Sequence, residues 1–148
     1  MGRNQGGVMV ICTTQDCENV LSSGTDGELK LWNIGKQVKT CQSSQKMHNG
    51  EITCIKMIDS NDTKVATSSL DGTVIIWKLA KLQSLQKLHH IQIPSGMNAD
   101  SVHSNSILGM TYCANSNSLA CIDIHRKLSF LQLDDMEIEK QIEAAYDG

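Results

Sequence analysis

Proline is nearly missing from this sequence, with one residue in 148, while Gly, Ser, Asn and Asp are plentiful. That balance suits short strands joined by tight turns. No apolar run approaches the roughly 20 residues that a membrane-spanning helix needs, so no membrane partner is expected. There is no excess of one charge either. The formal net charge of −3 offers no general attraction for nucleic acid or anionic lipid, which leaves nucleic acid as an indirect partner at most. Met1 to Gly7 lacks the apolar core of a secretory signal, and Gly6 stands where an N-myristoylation pattern wants Ser or Thr. The expected location is intracellular, cytoplasmic or nuclear.

The groupings that chemistry needs are also missing. Neither Gly6-Gly7 nor Gly24-Thr25-Asp26-Gly27 opens a helix, so neither presents a helix N-terminus to phosphate. Cys12 and Cys17 have no second pair at matched spacing, as a zinc site would require. His89 and His90 are adjacent, and adjacent strand residues point to opposite faces. Cys54 follows His48 by six residues but belongs to an apolar strand, where a thiol is inert. The six cysteines (Cys12, Cys17, Cys41, Cys54, Cys113, Cys121) sit mostly in apolar runs and read as reduced, buried thiols. Asn61-Asp62-Thr63 fits a glycosylation sequon and reads as a polar turn. No catalytic residues, no metal and no cofactor are expected, and nothing reads as an enzyme.

What is present is a repeat. Val65 to Leu79 places two β-branched, apolar segments around Asp71-Gly72, a strong hairpin signal, and the second segment carries Trp77. Forty-five residues earlier, Val20 to Ile34 has the same layout without a gap: Val20, Ser23, Asp26-Gly27 and Trp32 match Val65, Ser68, Asp71-Gly72 and Trp77. A period of this size signals a repeat architecture. The chain then divides into strands. Val8 to Cys12, Val20 to Gly24, Glu28 to Ile34 and Gln37 to Gln42 make a first antiparallel group. Glu51 to Met57, Lys64 to Ser69 and Thr73 to Leu79 begin a second. Its fourth strand is Leu88 to Ile93, closed by Pro94-Ser95-Gly96, although Leu82, Leu85 and Leu88 also fit a helical stripe. A third group reads Ile107 to Tyr112, Ser118 to Asp123 and Lys127 to Leu133. Met136, Ile138 and Ile142 suit a final strand, and the last two suit a helix face as well.

These residues resemble the WD-repeat family, whose repeats form the four-stranded blades of β-propellers. Each repeat of that family has a histidine before the first strand, Ser or Thr in the second, Asp in the tight turn and Trp in the third. His48, Thr67, Asp71 and Trp77 match at every position. The resemblance implies a structural tetrad in which indole, hydroxyl, imidazole and carboxylate bond in a chain. The first repeat keeps Ser22, Asp26 and Trp32, with Arg3 at the histidine position. The third keeps His103, with Cys121, His125 and Leu131 where Thr67, Asp71 and Trp77 stood. In this setting His48 and Asp71 are structural rather than an acid–base pair.

The implied fold is all-β: a WD-repeat β-propeller segment of about three four-stranded antiparallel blades in an incomplete ring. One domain, 1–148, holds blade one at about 8–42, blade two at about 48–93 and a degenerate blade three at about 103–142. Rings in this fold have roughly four to eight blades, so three cannot close. The expectation is a fragment or short isoform of a longer propeller, or a chain that completes its ring by self-association or blade complementation. Trp32-Asn33 and Trp77-Lys78 replace the family's Trp-Asp ending, which lowers the expectation of a ubiquitin-ligase adaptor.

The resemblance implies a non-catalytic protein–protein interaction scaffold within an intracellular multiprotein complex. Its partner-binding face would carry Thr25, Leu70, Ile124, Asn49 and Glu51, at the turns between second and third strands and the loops before the first. An accessory subunit of an RNA-processing or ribosome-assembly complex is the alternative, and a truncated, non-functional isoform is the third reading. The acidic stretch Asp134 to Asp147 reads as a solvated strand and tail.

Overall fold

The computed structural model describes residues 7–35, 40–59, 61, 63–79, 85–93 and 106–143, with 40–43, 85–87, 90 and 143 described by backbone alone. These residues form twelve strands in three sheets. The first sheet holds β1 (Val8–Thr13), β2 (Asn19–Gly24), β3 (Glu28–Asn33) and β4 (Thr40–Lys46). The second holds β5 (Ile52–Met57), β6 (Lys64–Ser69), β7 (Thr73–Leu79) and β8 (Leu85–Gln92). The third holds β9 (Ile107–Cys113), β10 (Ser118–Asp123), β11 (Lys127–Gln132) and β12 (Glu137–Glu143). In each, neighbours in sequence are neighbours in space and every pairing is antiparallel.

Turn chemistry sets the middle hairpin of each sheet. Gly27 and Gly72 take φ values of 78° and 84°, a conformation that costs glycine little. The third hairpin puts Arg126 at the equivalent place with φ 64°, and the fold tolerates it at the expense of local strain. Asp123 supports that turn. Its Oδ1 accepts the N–H groups of His125 and Lys127, both at 2.9 Å.

The first strands β1, β5 and β9 stand side by side, and the fourth strands lie outermost. The side chains between the sheets make two cores. Leu21, Leu29 and Leu31 of the first sheet meet Ile52, Ile55, Val65, Ile75 and Trp77 of the second. The opposite face of the second sheet sends Ala66, Val74 and Ile76 against Ile107, Met110, Leu119, Cys121 and Leu131 of the third. Strand period explains the division, since alternate residues of β7 point to opposite faces. Thr73 to Trp77 is therefore buried without a break, because both faces of the second sheet are covered.

Each first strand carries a bulge near its start in the first two sheets, at Met9 and at Thr53. The two bulges differ in chemistry. Thr53 Oγ1 lies 3.0 Å from Ser68 Oγ and donates to the Ile107 carbonyl across the sheet boundary at 2.8 Å. Met9 offers no such group, and the buried Ser23 Oγ, equivalent to Ser68, has no hydrogen-bond partner.

Three sequence expectations shift. The fourth strand of the first sheet runs over Thr40–Lys46 rather than Gln37 to Gln42, with residues 36–39 outside the described set. It pairs backbone to backbone along β3, from Asn33↔Thr40 to Glu28↔Lys46, and a polar edge strand has no apolar period to mark where it starts. The fourth strand of the second sheet runs over Leu85–Gln92 rather than Leu88 to Ile93, and Glu137–Glu143 is the final strand that Met136, Ile138 and Ile142 suited. The cysteines are less buried than their runs suggest. Cys121 alone of the described five is buried, Cys12, Cys54 and Cys113 are half-buried, and Cys17 is exposed in a turn. All five are free thiols. Pro94-Ser95-Gly96, Arg3 and residues 144–147 of the acidic tail lie outside the described residues.

Candidate interaction surface and its support

The second sheet carries a continuous polar network at one end. Trp77 Nε1 donates to Thr67 Oγ1 at 2.9 Å, and Thr67 Oγ1 lies 2.8 Å from His48 Nε2. The Thr67 hydroxyl accepts from the indole and keeps both a hydrogen and a second lone pair for Nε2, so it serves either imidazole tautomer. Nδ1 sits 2.9 Å from Thr73 Oγ1 and 3.4 Å from Asp71 Oδ2. Thr73 in turn donates its hydroxyl to Asp71 Oδ1 at 2.6 Å. His48, Thr67 and Trp77 are at most 1% exposed, so each polar atom needs these partners.

Asp71 is the hub. Besides Thr73 and His48, its carboxylate accepts the N–H of Thr73 at 2.9 Å and that of Asn49 at 2.8 Å. The carboxylate thus ties the loop before β5 to the β6–β7 turn. Burial pushes the Asp71 carboxyl up, but the bonds from His48, Thr73 and the Asn49 N–H together hold it well below the usual carboxylate range. Sequence reasoning missed Thr73. Its signal was a hydroxyl two residues past the turn aspartate, a spacing that lets one side chain reach both Asp71 and the imidazole.

The first sheet keeps half of this arrangement. Trp32 Nε1 donates to Ser22 Oγ at 2.8 Å, and Asp26 Oδ1 accepts the Glu28 N–H at 3.1 Å. The two halves are not joined by an imidazole among the described residues. In the third sheet His103 lies outside the described residues, and His125 is exposed whereas Asp71 is half-buried. Asp123 was also missed. It occupies the place of Ser69, whose Oγ accepts the Asp71 N–H at 3.1 Å, and it does the work of Ser69 and Asp71 together.

The five residues expected at a docking face all lie at this end of the sheets. Thr25, Leu70 and Ile124 follow β2, β6 and β10 at equivalent places. Their N–H groups donate to the carbonyls of Gly7 (3.1 Å), Glu51 (2.9 Å) and Ser106 (2.9 Å). The Leu70 carbonyl accepts the Ser106 hydroxyl at 2.7 Å, which links the second and third sheets. Thr25 and Asn49 are exposed, Glu51 and Leu70 half-buried, and Ile124 is 52% exposed. Ile124 rather than Leu70 is therefore the large apolar side chain most open to solvent on this rim. Among the described residues no three His, Cys, Asp or Glu side chains converge to hold a metal ion, and no helix is long and apolar enough to cross a membrane.

Sequential four-stranded antiparallel sheets, stacked face to face with their first strands innermost, define an incomplete β-propeller. The chain is a WD-repeat protein: the family model "WD domain, G-beta repeat" matches residues 2–33 and 39–78. It is 42% identical over 82 residues to "Cilia- and flagella-associated protein 52" of Bos taurus, and 39% identical over 82 residues to the Homo sapiens protein of that name. Each match covers 55% of this chain and 13% of the relative, so the chain spans a small part of the length of these proteins. It is 25% identical over 105 residues to "Ribosome biogenesis protein YTM1" of Coccidioides immitis (strain RS), covering 68% of this chain and 22% of that one. Among solved structures, "Structure of U3-55K" superposes with a TM-score of 0.73 at 14% identity, over 98% of this chain and 42% of that chain. The β-propeller domain of Myceliophteria thermophila Cps50 (Swd1) gives 0.75 at 15% identity, over 94% and 44%. Both structures establish the fold alone.

Proposed function

We propose that this chain is a non-catalytic scaffold that holds a partner protein on the rim formed by Thr25, Leu70, Ile124, Asn49 and Glu51, within an assembly associated with cilia or flagella. The observation that supports the reading is the equivalence of three backbone bonds, from Thr25, Leu70 and Ile124 to Gly7, Glu51 and Ser106, at the same end of the three sheets. The network under Asp71 keeps the Asn49 loop fixed at that end, so little order has to be acquired on binding. Ile124 is the apolar anchor, and the exposed polar groups of Thr25 and Asn49 form its rim. The cilium or flagellum is preferred as the setting because 42% identity over 82 residues outweighs 25% over 105.

A role in ribosome assembly is the second reading, and the similarity to YTM1 is what favours it. Affinity capture from ciliated cells separates the two. Proteins held by the wild-type chain and lost by Ile124→Glu, with an unchanged melting temperature, support the rim. Identical capture by both chains rejects it, and capture of ribosomal precursors moves the setting to the second reading.

A further inference from the structure

At the end of the sheets away from the Thr25, Leu70 and Ile124 rim, the two junctions between sheets differ in kind. In the first sheet β2 and β3 set Asn19 opposite Asn33. The two amides bond at 3.3 Å, and Asn33 is 2% exposed. The same register in the second sheet sets Lys64 opposite Lys78. Both lie on the face that carries Ala66 and Ile76 toward the third sheet, since side chains two residues apart share a face. Both are exposed, and neither makes an ion pair or hydrogen bond through its ammonium among the described residues. Two amides satisfy each other, whereas two ammoniums directly opposite repel.

The lysines stand at the edge of a groove of about 500 Å³ between the second and third sheets. Its floor is Ile58, Ile76 and Leu133, each at most 8% exposed. On the second-sheet side β8 bulges at Leu88, so Leu88 and the adjacent His89 both line the groove. On the third-sheet side a run of hydrogen bonds makes a firm wall. The Tyr112 hydroxyl donates to Asn117 Oδ1 at 3.0 Å, and Asn117 Nδ2 donates to Asp134 Oδ1 at 2.8 Å. Gln132 Nε2 donates to the other Asp134 oxygen at 2.8 Å. Asp59, the second carboxylate of the lining, accepts the Thr63 hydroxyl and the N–H groups of Thr63 and Lys64. Both acids are thus engaged by neighbours, while the Lys64 ammonium and the His89 imidazole are uncommitted among the described residues. Lys64, Leu88, His89 and Asp134 are exposed, so the groove is open along one side. That shape suits a side chain entering from a chain that passes over it, whereas small-molecule sites enclose most of their ligand.

We propose that this groove binds a segment of a partner protein in which a large apolar side chain stands beside an Asp or Glu. The apolar side chain covers Ile58, Ile76 and Leu133, and the carboxylate pairs with Lys64 and Lys78 and relieves their repulsion. Asp134 on the facing wall repels an acid, so the carboxylate enters only on the lysine side and the segment takes one orientation. The site lies wholly on the second and third sheets and is independent of the rim at their other end.

An array of immobilised octapeptides tests this with the 148-residue chain as the soluble probe. Each peptide has a central Leu-Phe flanked by Asp, by Lys or by Ser, and a control set has Asp around a central Ser-Ser. The wild type is expected to retain the Asp-flanked Leu-Phe peptides alone. The double variant Lys64→Glu, Lys78→Glu is expected to retain them about tenfold more weakly and to prefer the Lys-flanked set. Both positions are exposed, so its melting temperature should be unchanged, and a reversed preference is a result that unfolding does not give. If the glutamates lower the melt, Lys64→Ser with Lys78→Ser should show the same loss without the reversal. Ile124→Glu should bind as the wild type does, and a loss there would place the peptide on the rim and overturn the groove. No retention, equal retention of the Ser-Ser controls, or retention unmoved by the lysine variants also overturns it. Displacement of the peptide by an equal concentration of 3-phenylpropionate would assign the site to small carboxylates and overturn the partner segment.

Discussion

The second and third sheets have the same topology and reach it by different means. In the second, five side chains and two backbone N–H groups bond in one network around Asp71. In the third, the single carboxylate of Asp123 supports the equivalent turn, and Leu131 fills the place of Trp77. A four-stranded sheet therefore does not require the network. Apolar alternation and one acceptor at the turn are enough to form it. The network adds attachment of the loop before the sheet, through the bond from the Asn49 N–H to Asp71. The first sheet lies between the two cases. It keeps the Trp32–Ser22 bond, but the tryptophan is half-buried because no sheet among the described residues covers its face.

The largest expected effect contrasts the two tryptophans. Trp77→Ala removes a side chain that is 1% exposed and leaves Thr67 short of a donor, at a cost of about 3–5 kcal/mol. Trp32→Ala is expected to cost less than half as much, about 1–2 kcal/mol. Urea midpoints with a common slope measure both. Equal losses would mean that the face of the first sheet is covered in solution.

Acid unfolding sharpens the comparison around Asp71. Its folded carboxyl is held below the ordinary value, so its contribution is fully present above the unfolded carboxyl's pKa of about 4. It is lost as the pH falls through the lower folded value. Asp71→Asn is expected to be less stable at neutral pH and to show a shallower loss of melting temperature below about pH 4. Asp16 is also held low, chiefly by the Thr14 hydroxyl, but it remains in both chains and drops out of the difference. A parallel acid flank in the two chains would show that the network carries no linkage.

The smallest effect is a gain. Met9→Thr places a hydroxyl where Thr53 stands in the second sheet and gives the unpartnered Ser23 Oγ a bond. Met9 is 54% exposed, so little burial is lost. The expected stabilisation is about 1 kcal/mol, read as a raised urea midpoint. A neutral or negative result would mean that the first bulge does not superpose on the second in detail.

Much of this was legible in the residues. Asp26-Gly27 and Asp71-Gly72 announced the hairpins, because glycine adopts the positive φ that both turns use. The match of His48, Thr67, Asp71 and Trp77 to a known repeat put four partners at bonding distance in prospect. Other features were hidden for physical reasons. Asp123 was overlooked because the acceptor of the third turn stands two residues nearer the strand than Asp71 does in the second, where the repeat pattern does not look for it. The fourth strands were blurred, since a polar edge strand is held by backbone pairing and carries no period of its own.

The amino-acid sequence by itself determined the local units: strands from alternation, hairpins from Asp-Gly, and a repeat from the forty-five-residue echo of Val20 to Ile34 in Val65 to Leu79. Tertiary structure alone decided which faces those units bury. Leu29, Val74 and Leu128 are equivalent and apolar in the sequence, yet the first two are fully buried and the third is not. The reason is that burial belongs to a pair of surfaces. A strand's side-chain pattern specifies a face that can be covered, and only the arrangement of neighbouring sheets settles whether anything covers it.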